Sequence, residues 1–112
     1  MFNMLVGGAL TAAAAVLPGM RQASNGALLF TTGTTAVRPL PGMSNSGIAL
    51  CGLRSWARGL HDDLAAEGVW VGHLSIGAPI VPGTGEGDPD ALADRWYQLY
   101  QNRNSFETTV GF

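Results

Sequence analysis

The segment "GALLFTTGTTA", residues 26–36, is an apolar run that opens onto four threonines grouped around one glycine. Hydroxyls at the carboxyl end of a strand can hydrogen-bond a ligand, or they can simply make a turn. The distinction lies in their partners. A hydroxyl becomes a nucleophile or proton donor only beside a base, or beside a group that shifts its pKa. Lysine is absent from the chain, which removes Schiff-base chemistry, a P-loop lysine and any lysine-tuned acid. His61, Asp62 and Asp63 are metal-ligating types, but adjacent helical residues point in different directions and no second cluster accompanies them. They read as a solvated helix face, and no metal site is expected. "GTGEGDPD", residues 83–90, sets glycines before a helix N-terminus, an arrangement that can cradle phosphate. Glu86 and Asp88 would repel an anion there, so the stretch reads as a flexible loop. His73 and Cys51 read as packing residues, and Trp56, Trp70 and Trp96 as core or interface aromatics.

The elements that must position these groups follow from periodicity. Residues 3–17 suit a helix of alanines and leucines, with Pro18-Gly19 ending or kinking it. Asn25-Gly26 is a turn signal, and residues 27–32 form a continuous apolar run, as in a strand covered on both faces. A Gly/Pro loop follows, then a helix over 44–66 that Ser44 or Ser46 could cap. Ala49, Leu53, Trp56, Leu60 and Leu64 make one apolar stripe on it, while Arg54, Arg58 and Asp62 share another face. Gly68 ends the helix, and residues 69–76 form a second apolar strand. Asp88 caps a last helix with Pro89 in its first turn. The tail "FETTVGF" is a short strand or a frayed end. The order helix, strand, helix, strand, helix contains a βαβ unit, which implies a parallel sheet. Two strands do not complete such a sheet, so residues 1–112 read as a partial α/β domain, the second half of a doubly wound, Rossmann-like one.

Composition narrows the function classes. The chain has 112 residues, 46% of them hydrophobic and 12% charged, against about 25% charged for an ordinary soluble domain. This charge deficit points to surface meant for burial against another body. The six basic residues are all arginine, they are scattered, and net charge is −2. No basic patch exists to neutralise phosphates, so nucleic acid is not an expected partner. One cysteine cannot form an internal disulfide, which suits a reducing, cytoplasmic setting. The apolar N-terminal run is shorter than the roughly 20 residues a membrane-spanning helix needs. No basic residue precedes it, as a signal peptide would require.

Taken together, "GALTAAAAVLPGM", "NGALLFTTG" and "SGIALCGLRSWARGLHDDLAAEGVWVGHLSIG" resemble the carboxyl-terminal half of the short-chain dehydrogenase/reductase family, in order and spacing. "DPDALADRWYQLYQNRNSFE" is similar to the late helix of a divergent branch. The resemblance spans nearly the whole chain and a little under half of a typical member. It implies two interface helices, residues 3–17 and 44–66, that pair in a homo-oligomer. It also implies a strand bearing a catalytic hydroxyl and a strand leading to the nicotinamide loop. NAD or NADP is the implied cofactor. The nucleotide-binding half would precede Met1, so the isolated chain is expected not to bind it.

The family's catalytic set is Asn, Ser, Tyr and Lys. Position by position, the asparagine falls on Leu5, with Asn3 two residues too early. The serine falls on Thr32, with Gly33 the neighbouring alternative. The tyrosine falls on Ser46 and the lysine on Leu50. Tyr97 and Tyr100 are the only tyrosines and lie on the last helix. A serine hydroxyl is a far weaker acid than a tyrosine of pKa about 10, so it is a poor proton donor near neutral pH. Without those partners the threonine cluster reads as a vestigial polar loop, the alternative being a substrate hydrogen bond from Thr32 or Thr34; Thr32 and Ser46 are the candidate catalytic residues. Ile76-Gly77 replaces the family's Pro-Gly pair, and Ile80 lies where backbone meets the carboxamide. Gly77 and Ile80 are therefore the candidate cofactor contacts. The expected product is an oxidoreductase by descent whose catalysis is impaired. Two alternatives are a non-catalytic dimerisation module and a truncated reading frame.

Overall fold

The computed structural model describes residues 3–38 and 40–111, with the side chains of residues 3 and 5 outside that description. The asparagine position, Leu5, falls among the latter. A π-helical turn, Asn3–Gly7, leads into helix α1, Gly8–Ala23. Strand β1 spans Gly26–Gly33, helix α2 Ser44–Leu64 and strand β2 Val69–Ile76. Helix α3, Pro89–Asn102, and strand β3, Glu107–Val110, complete the described chain. The three strands pair in the order β1-β2-β3, all parallel. The tail is therefore a strand, and the sheet has one more member than the apolar runs alone announce. "ETTV" is too short and polar to stand out by periodicity.

Two-residue alternation divides the side chains between faces. Leu28, Phe30 and Thr32 of β1 share a face with Val69, Val71, His73 and Ser75 of β2. Helices α1 and α2 cover that face. Ala57, Leu64, Val69, Val71 and Phe106 form its buried centre, with Leu17, Met20, Leu28, Phe30, Trp56 and Leu60 packed around it. Burying each large side chain contributes about 1.5–3 kcal/mol, so this cluster dominates the core. The apolar stripe of α2 is spent here, with Ala49, Leu53 and Leu64 all buried within their own chain. The opposite face carries Leu74, Ile76 and Val110, closed by Leu92 of α3 in a much smaller cluster. Helices thus lie on both faces, a Rossmann-like α/β arrangement.

Pro18 neither ends nor visibly interrupts α1, which continues to Ala23 and stops at Ser24 in the left-handed conformation. Leu17 and Met20 pack on the core and hold the final turn in place despite the lost backbone bond. Neither Ser44 nor Ser46 caps α2; Met43 occupies that position without a side-chain bond. Gly68 holds φ +79°, and a β-carbon there would run into the Ser24 carbonyl. The entrance to β2 is thus fitted against the end of α1.

Candidate functional site

The carboxyl end of the sheet brings a set of polar side chains into a mostly apolar interior. The register sets His73 opposite Phe30 and Glu107, and Ser75 opposite Thr32 and Thr109. All the side chains concerned fall on the α2 face. His73 and Ser75 have no exposed surface, and Thr32 retains 8%. Thr32 Oγ1 lies 2.7 Å from His73 Nε2 and 3.2 Å from Ser75 Oγ. Ser75 donates to the Gly33 carbonyl at 2.7 Å. On the other side of the imidazole, Nδ1 lies 2.8 Å from Glu107 Oε1. Arg54 from α2 completes the row with a fork, donating Nε to Oε1 at 2.6 Å and Nη2 to Oε2 at 2.8 Å.

Each group is tuned by its neighbours. The Arg54 fork holds the Glu107 carboxyl below its ordinary range, against the opposing effect of partial burial. Burial pushes the His73 pKa below its ordinary 6.5, and this outweighs the pull of Glu107 in the other direction. Neutral His73 and ionised Glu107 are therefore the resting pair. An ionised carboxylate only accepts hydrogen bonds, which assigns the proton to Nδ1 and leaves Nε2 bare toward Thr32. Hydroxyl, imidazole and carboxylate in sequence are the elements of a proton relay. Phe106 stacks on the imidazole, with ring centroids 5.8 Å apart.

The residues singled out by sequence are distributed unevenly over this geometry. Thr32 is within the network. Ser46 is one element away, and its hydroxyl donates to the Met43 carbonyl of its own helix turn at 3.2 Å. Thr32 and Ser46 share no hydrogen bond. Leu50 packs with Val6, Ala49 and Leu53. Thr34 opens a short 3-10 turn, Thr34–Ala36, and its carbonyl accepts from Val37 and Arg38. His73 reads from sequence as plain packing, yet it is the hub of the buried polar chain. The available signal was a histidine in an apolar strand, which must find hydrogen-bond partners when buried. Cys51 is exposed rather than packed, with its thiol against the Thr35 and Ala36 carbonyls. His61 is not solvated like Asp62 and Asp63, for its Nδ1 meets the Val71 carbonyl at 2.7 Å. Trp96 is 39% exposed at the rim of a cavity of about 320 Å³. Thr31, Leu74, Ile76, Ile80 and Leu92 line the same cavity.

These residues do not by themselves fit a dinucleotide. The Gly77 amide already donates to Val110 at 2.7 Å, and Ile80 is largely exposed. The glycines before α3 are organised by Asp88, whose carboxylate accepts from Gly83, Asp90 and Ala91 amides. A carboxylate therefore occupies the position an anion would take. No Gly-x-x-x-Gly-x-Gly stretch occurs in the 112 residues. Among the described residues no group of acidic, His and Cys side chains could hold a metal, and no helix is long and apolar enough to cross a membrane.

No family model and no curated protein matches this sequence. Solved structures do match. A short-chain dehydrogenase from Streptomyces avermitilis superposes with a TM-score of 0.83 at 20% identity, over 99% of this chain and 51% of that one. One from Rhodopseudomonas palustris gives 0.68 at 28% identity, over 83% of this chain and 41% of that one. A third, from Burkholderia cenocepacia J2315 in complex with NADP, gives 0.78 at 19% identity, over 99% and 48%. The chain spans about half the length of the structures it matches. It has the Rossmann-like fold of the short-chain dehydrogenases.

Proposed function

We propose that this chain is the substrate-side, carboxyl-terminal half of a divergent short-chain dehydrogenase/reductase, an NAD(P)-dependent oxidoreductase by descent whose usual acid–base residues have been replaced. The observation that carries the reading is the superposition of 99% of the chain on a short-chain dehydrogenase at a TM-score of 0.83. The NADP held by the Burkholderia cenocepacia protein supports the cofactor class. Ser46 and Leu50 stand where the family's tyrosine and lysine belong, so the ordinary proton donor is missing. Nucleotide is then held by residues outside these 112. Titration calorimetry of the 112-residue chain with NADH and NADPH is expected to show no binding. A dissociation constant tighter than about 100 μM, roughly −5.5 kcal/mol, would mean that the chain holds the dinucleotide unaided and would overturn this division.

A second reading, a non-catalytic association module, draws support from α1. Leu10 and Val16 are exposed at 37% and 42%, along with Thr11, Ala12, Ala14 and Ala15, and Ile48 of α2 is 73% exposed. With the inner stripe of α2 spent within its own chain, this outer apolar surface is available to a second copy. Sedimentation is expected to show a dimer at tens of micromolar that Val16→Arg converts to monomer. A folded wild-type monomer at that concentration would remove the module.

A further inference from the structure

We propose that His73 is the positioning residue that sets the hydrogen-bonding polarity of the Thr32 hydroxyl. With His73 neutral, Thr32 accepts from a hydroxyl-bearing ligand; with His73 an imidazolium, Thr32 donates to a carbonyl-bearing one. The inference rests on the reading of Thr32 as the substrate-facing serine position. It assigns to His73, Glu107 and Arg54 a role that no resemblance supplies.

Arg54 fills both oxygens of Glu107 from one side, and the remaining capacity of Oε1 faces Nδ1 at 2.8 Å. The neutral imidazole therefore carries its proton on Nδ1. Nε2 is then an acceptor, and at 2.7 Å it takes the Thr32 O–H. Ser75 donates its proton to Gly33, so it offers none to Thr32. Thr32 is left with a spare lone pair and no free proton. When His73 gains a proton from solvent, an N–H bond forms at Nε2 and that group donates to Thr32 Oγ1. The Thr32 proton then swings to Ser75 Oγ, 3.2 Å away, or to a ligand. Every N–H and O–H of the row has an acceptor in the neutral state, and in the charged state the freed Thr32 proton keeps one in Ser75 Oγ or a ligand.

The charged groups facing His73 favour such a switch without pinning it. Glu107 on β3 opposes burial, and Arg54 on α2 neutralises part of that help. Cys51 lies beyond Arg54, and Arg58 and His61 reach Phe106, the ring stacked on His73.

Imidazole nitrogen NMR on the ¹⁵N-labelled 112-residue chain tests this, with His61 as internal reference. The expected wild-type spectrum at neutral pH has His73 protonated on Nδ1 alone, with Nε2 gaining its proton on acidification. Glu107→Gln should lower the pH of that transition by about one to three units and admit the Nε2–H tautomer. Thr32→Val should move the Nε2 resonance, and Thr32→Ser should restore it, which a merely packed imidazole would not show. A neutral wild-type His73 protonated on Nε2 overturns the proposal. So does a Glu107→Gln transition that moves no more than that of His61. Should Glu107→Gln fail to fold, the wild-type tautomer and the Thr32 pair decide. None of these readouts needs nucleotide. Their failure is therefore distinct from calorimetry overturning the oxidoreductase reading.

Discussion

Thr31 and Thr32 are adjacent in sequence and opposite in circumstance. Thr32 points to the α2 face and is buried between His73 and Ser75. Thr31 points to the α3 face and lies exposed at the edge of an apolar cavity. The two faces differ likewise. One is covered by two helices and carries a polar row running from β1 to α2. The other is covered by one helix and remains partly open over β1. Residue type at the end of a strand is therefore uninformative until the face is known, because the partner rather than the hydroxyl determines what the group can do.

The largest expected contrast comes from core truncation on each face. Leu64→Ala, in the closed cluster, should cost toward the upper end of the roughly 2–5 kcal/mol range for such changes. Leu92→Ala should fall toward the lower end, because it borders the open cavity and leaves no sealed void. Urea denaturation of both variants measures the difference. Equal costs would mean the α3 face is as closed as the other.

The two threonines provide a finer test. Thr32→Val strips a buried imidazole nitrogen of its partner and should cost about 1–3 kcal/mol. Thr31→Val should stay within about 0.5 kcal/mol of wild type. Comparable effects at both positions would erase the distinction between the faces.

The smallest effect is in the pH dependence of stability. The folded-state pKa of His73 lies below 6.5, so the folded chain binds fewer protons than the unfolded chain once pH falls past that value. Stability is full above about pH 6.5 and declines as pH drops through the folded pKa. Glu107, depressed from 4.5, adds a second decline below that value. Thermal melts of His73→Gln should lose the upper part of this decline and keep the lower. A melt profile between pH 7 and 5 unchanged by the substitution would exclude His73 as its source.

Most of the scaffold could be read from the sequence. The apolar run at 69–76 matches β2, the Asp88-Pro89 start matches α3, and the stripe of α2 is buried at Ala49, Leu53 and Leu64. These are local signals, in which periodicity and capping chemistry act within one segment. The polar row was not legible for the same reason. Thr32, His73, Glu107 and Arg54 come from four elements, and only the parallel register and the packing of α2 bring them together. Glu107 lies in a tail whose strand character depends on β2. The resemblance pointed to Thr32 but named as its partners Ser46 and Leu50, whose side chains turn to their own helix and to the α1 side.

The outer edge of β1 has a consequence for how the protein must be handled. Its eight residues hydrogen-bond to β2 on one side, and no other described strand lies beyond them. Edge strands are commonly guarded by lysine, proline or a bulge against pairing with another chain. "GALLFTTG" contains no charge and no proline. Such a segment, rich in β-forming residues and without a gatekeeper, is a template for edge-to-edge aggregation. Taken on their own at high concentration, these 112 residues are expected to depend for solubility on what shields that edge. Thr31, exposed on the open face, is one position where a charged residue would guard it.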